Sequence, residues 1–152
     1  MLQDATKMRI LSLAFALERG VLAYMSTRSL YDAYWTVMNK LEDGGDEDLK
    51  NLVRVHWGDI AERIKAIAAT AWKIFDELVE LEIGRIKEVM RKILISEILR
   101  YVDSYDIARD INRALTKIAE EFGSKILKAV SDECEKLAEE LIKKAEEKPQ
   151  PP

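Results

Sequence analysis

Between Val53 and Leu81 the apolar residues recur at Val53, Trp57, Ile60, Ile64, Ile67, Ala71, Ile74, Leu78 and Leu81. Steps of four and three residues, repeated over four heptads, put all of them along one face of a single long helix. The chain must therefore supply neighbours for a continuous apolar seam. The predicted helix covers about 47–81, and its extended form continues to 104. Beyond Leu81 the next seam positions would be Arg85 and Glu88, so the heptad stops. A new phase begins with Ile83, Ile86, Met90 and Ile93, then Leu94, Ile98, Tyr101 and Tyr105. The slip at Glu82-Ile83-Gly84 reads as a bend or a turn toward a different neighbour. If the backbone stays helical throughout, about 50 residues at about 1.5 Å each span about 75 Å.

Composition agrees with helices. Of 152 residues, 48% are apolar and 34% charged, which is globular rather than disordered. All three prolines fall in the last four residues, so none interrupts a helix. The expected fold is all-α: an elongated antiparallel bundle of five to seven helices with coiled-coil-like packing. A single domain is expected over 1–148, with a Pro-rich tail over 149–152. Scarce Gln and Asn beside abundant Ile, Glu, Lys and Arg suggest a thermophile. The single Cys134 forms no internal disulfide framework and favours a reducing, cytoplasmic or intracellular viral setting. The apolar run Ile10–Leu17 ends at Glu18-Arg19, short of the about 20 residues needed to span a bilayer. No membrane partner is expected.

Along the chain, Asp4 caps a first helix reaching about Met25. Ser26–Ser29 forms a turn and cap, and a second helix covers Leu30–Leu41. Its core stripe is Leu30, Tyr34, Val37 and Leu41. Tyr31, Trp35 and Met38 form a further stripe about 100° round the helix. Tyr, Trp and Met are enriched in interfaces, so these three are the candidate protein interface. Glu42–Asp48 holds five acids in seven residues around Gly44-Gly45. The order does not fit a calcium loop, and an acidic cap at a helix N-terminus is expected instead. Downstream, Asp103-Ser104 opens a helix that Gly123 closes, and Ser124 opens the last one, with Ile126, Val130, Cys134, Leu137 and Leu141 as its stripe.

Candidate chemistry is sparse, and neither a cofactor nor a catalytic or metal residue is assigned. His56 is the only histidine. Over seven residues, Lys50–His56 resembles the Arg-x(4–6)-His element of HEPN ribonucleases. Lys50 stands where the Arg belongs and Arg54 is too close, so His56 is read as structural. Cys134 sits on a core stripe, as an inert thiol would. Asp103, Asp106 and Asp110, with Glu97 upstream, resemble in part the magnesium carboxylates of all-helical nucleotide pyrophosphatases. Asp106–Arg109 and Asp110–Arg113 are also ion pairs at helical spacing, which accounts for them better.

Arg109, Arg113 and Lys117 form a basic stripe at i, i+4 and i+8, the best candidate for nucleic-acid contact. No aromatic residue interleaves with it, and the net charge of −4 disfavours a protein that coats DNA. The expected function is non-enzymatic: helical assembly, by self-association or within a larger complex. The alternative is a small accessory subunit of a nucleoprotein complex, in the class of helical viral nucleoproteins or CRISPR-type small subunits. A second alternative is a metal-dependent all-α hydrolase.

Overall fold

In the computed structural model, which describes residues 4–99 and 104–147, the chain is an all-α helical bundle. It comprises α1 (Asp4–Thr27), α2 (Leu30–Gly44), α3 (Glu47–Val55), α4 (Trp57–Leu99) and α5 (Ser104–Glu147). No strand occurs among the described residues. The contacts divide it into two units: Met1–Ala71 with Lys128–Pro152, and Trp72–Leu127. The predicted tail at 149–152 lies outside the described residues.

Local chemistry sets the helix ends in unit one. After α1, Arg28 takes a left-handed conformation (φ 58°) and its N–H donates to the Tyr24 carbonyl at 2.7 Å. The Ser29 hydroxyl then accepts from the Asp32 N–H at 3.2 Å, capping α2. Gly45, at φ 71°, closes α2 in the left-handed region that glycine enters without a Cβ clash. Asp46 caps α3 by accepting from the Leu49 N–H at 3.1 Å.

α1 and α2 form an antiparallel hairpin. Arg9 meets Asp46 near one end, Phe15 meets Lys40 midway, and Gly20 meets Val37 and Ala33 near the other. The core of this unit joins Leu13, Leu17 and Val21 of α1 to Val37 and Leu41 of α2. Leu49, Val53, Ile60, Ile64 and Cys134 complete it. By length and composition α1 is long and apolar enough to cross a membrane, with a mean hydropathy of 1.2 in its most apolar window. Here its inner face supplies seven buried residues.

Two expectations about helix continuity change. The predicted single helix from about 47 is interrupted at His56, which closes α3. The seam conceals this break: Val53 and Ile60 are both fully buried on either side of it. The His56 N–H still donates to Leu52 and its carbonyl accepts from Ile60, so the chain turns without leaving the ladder. Asp59 suits the first turn of the helix that follows.

By contrast, α5 passes through Gly123, the predicted stop, without interruption, and α4 takes its extended form through Gly84. An isolated glycine costs a helix about 1 kcal/mol, which a long helix absorbs. The seam also drifts. In unit two Leu78 is buried, but the next buried position is Glu82, and the predicted seam residue Leu81 is 71% exposed. A helix turns every 3.6 residues and leaves a 3.5-residue repeat behind by about 20° per heptad.

Candidate interaction surfaces

On α2 the structure brings Tyr31 and Trp35 together on the outside and separates Met38 from them. Tyr31 is 71% exposed and Trp35 47%, while Met38 is buried at 4%. The core-facing arc of α2 is wide enough to include Met38 at its edge, beside Val37 and Leu41. Edge-to-face contacts run from Tyr31 to Trp35 (6.3 Å), Trp35 to Tyr34 (5.3 Å) and Tyr34 to Trp57 (4.9 Å). A second apolar line lies on α1, where Met8, Leu11 and Phe15 are all exposed. The Arg19 guanidinium sits 5.1 Å from the Phe15 ring centroid and the Lys40 ammonium 5.8 Å, partly screening that ring.

The acidic turn is tied to cations. Arg9 pairs with Asp46 at 3.2 Å, and the largely buried Lys50 pairs with Glu42 and, at 3.4 Å, with Glu47. The Lys50 hydrogen bond and charge hold the Glu42 carboxyl below its ordinary value. The same hydrogen bond raises Lys50, against its burial. Among the described residues no three His, Cys, Asp or Glu side chains converge to hold a metal ion. His56 caps α3 half-buried, next to Trp57. Cys134 is fully buried, and desolvation, followed by the charges of Glu18 and Glu133, pushes its thiol up to about 12.

Unit two pairs the second half of α4 with the first half of α5. Phe75 meets Phe122 edge-on at 5.9 Å, and Arg85 reaches Glu121 at 3.7 Å while holding Glu82 at 3.1 Å. Arg109, Arg113 and Lys117 are all exposed on α5, as the basic stripe requires. Asp103 and the side chains of Glu97, Asp106 and Asp110 lie outside the described residues.

The larger feature of this unit is apolar. Ile83, Ile86, Met90 and Leu94 on α4 are 38–63% exposed, and Leu115 on α5 is 51% exposed. The shift of apolar phase after Leu81 was the sequence signal for this surface. It showed a change of neighbour but not that these side chains stand exposed. No protein-family model, curated protein or solved structure matches this chain.

Proposed function

We propose that this chain is a non-enzymatic helical assembly protein that acts by associating with itself. One observation carries the reading: large aliphatic side chains stand outward in unit two, with Leu81, Met90 and Leu94 at 71%, 63% and 62% exposure. Two paired helices bury one stripe each and leave their flanks to solvent, whereas apolar flanks of this extent mark association surfaces. Size-exclusion chromatography with light scattering, run across a concentration series, tests it. A discrete oligomer is expected, and a monomer of 17.4 kDa at every concentration sinks the reading.

A second reading, an accessory subunit of a nucleoprotein complex, draws on a different observation. Arg85, Lys87, Arg91 and Lys92 on α4 are exposed in the same unit as Arg109, Arg113 and Lys117 on α5. Contacts to phosphates by such cations give weak, salt-sensitive binding. Nucleic-acid absorbance that co-elutes at low salt, and is lost when Arg109, Arg113 and Lys117 are changed to Glu, supports it. Retention by that triple variant rules the stripe out.

A further inference from the structure

Resting on the self-association reading, we infer that the α4–α5 hairpin of unit two is half of a four-helix bundle completed by the same hairpin of a second copy. Ile83, Ile86, Met90 and Leu94 fall within an arc of about 80° on α4, so they form one line along the helix. That line is not the seam facing α5, where Leu78 and Glu82 are buried. It is also not the flank bearing Arg85, which reaches Glu121 on the other side of the hairpin. The hairpin therefore has one flank closed by its own ion pair, with Leu81 at its outer edge, and one apolar flank to which Leu115 adds from α5.

Area and charge both favour a second copy as the occupant. The five exposed side chains offer on the order of 500 Å² of apolar surface, about the apolar share of a standard interface of about 800 Å² per partner. Between residues 72 and 127 the chain carries ten Lys and Arg against eleven Asp and Glu, a net charge of −1, so two copies meet without a charge barrier. When the two hairpins are related by a twofold axis along the bundle, each α4 gains a second antiparallel α5 at the same height as its own. Lys87 borders the line on α4, and Glu120 stands close to level with it across the hairpin, as Arg85 and Glu121 do. Both side chains are exposed within one copy, and the symmetric arrangement brings Lys87 of each copy beside Glu120 of the other, the edge pairing that sets partner and orientation in helical bundles.

The test is light scattering on the full chain and two sets of variants. Met90→Glu with Leu94→Glu changes residues already exposed in the single chain, so helicity by circular dichroism should be kept while the mass falls twofold, to 17.4 kDa. Lys87→Glu alone should weaken dimerisation at least threefold, and adding Glu120→Lys should restore it. An oligomer unchanged by Met90→Glu with Leu94→Glu overturns this interface but leaves self-association standing, and Tyr31 with Trp35 becomes the face to examine. A wild-type monomer overturns both. A monomer that sediments with vesicles of equal phosphatidylserine and phosphatidylcholine, and loses this with the same double variant, assigns the line to an anionic membrane surface instead.

Discussion

Gly20 of α1 lies so close to Val37 of α2 that a Cβ at position 20 would approach the Val37 side chain more closely than real Cβ atoms ever do. Val37 is fully buried, so its side chain has little room to yield, while the Ala33 carbonyl, 3.4 Å from the same point, is in ordinary contact. The α1–α2 hairpin is therefore set by the absence of one methyl group. Gly20→Ala gains about 1 kcal/mol of helix propensity, but overpacking a tight core costs about 1–3 kcal/mol. With a fully buried valine in the way, overpacking should win. A lower urea midpoint is expected for Gly20→Ala, and a midpoint equal to or above the wild type would show that the helices separate freely.

Lys50 and Glu42 make stability depend on pH at the acidic end. Glu42 is held below its ordinary value of 4.5, first by the Lys50 hydrogen bond and then by the Lys50 charge. The folded state thus binds this proton less readily than the unfolded state. Its contribution is present above about pH 4.5 and is lost as the pH falls through the lowered folded value. Glu42→Gln should reduce the loss of urea stability between pH 5 and pH 3 relative to the wild type. Parallel acid profiles for the two proteins would remove the pair from the account.

Cys134 should be chemically silent while the chain is folded. Its thiol is pushed up to about 12 by burial, so the reactive thiolate is scarce at pH 8. Labelling by a thiol-specific disulfide reagent at pH 8 should be slow in buffer and complete in denaturant, with one thiol per chain. The raised value also predicts that stability declines from about pH 9 upward, because the unfolded thiol then gives up its proton while the folded one keeps it. Rapid native labelling would mean that α5 opens readily around this residue.

The helical class and most of the helix ends in unit one could be read from residue types alone: Ser29 and Asp46 as caps, and the pair Gly44-Gly45 as a stop. The seam through Val53, Ile60 and Ile64 was equally legible because burial enforces it. What escaped was anything the apolar pattern passes over without change. His56 breaks the helix between seam residues that remain in register, while Gly123 carries turn chemistry that neighbouring helical turns override. Met38 sits at the border of two faces, where spacing alone does not decide between core and surface. Surplus apolar residues on α4 were visible, but the same residues would serve equally well in a buried helix. Only the packed fold distinguishes a covered flank from an open one.

The seam of unit two contains one residue that opposes its own burial. Glu82 is 6% exposed, its Oε1 is held by Arg85, and its Oε2 has no hydrogen-bond partner among the described residues. A buried polar atom without a partner costs about 1–3 kcal/mol. Replacing a buried charged group with an apolar one of similar volume is often neutral or stabilising. Arg85 is mostly exposed and keeps Glu121 within 3.7 Å, so it loses little when the carboxylate goes. Glu82→Leu should therefore raise the urea midpoint, with a gain in unfolding free energy of about 1–3 kcal/mol at most. Glu82→Gln, which keeps a polar amide in the same place, should give little or none of that gain. If Leu destabilises the chain while Gln does not, the Glu82–Arg85 contact outweighs the unpartnered oxygen, and a polar residue at this seam position is what aligns α4 with α5.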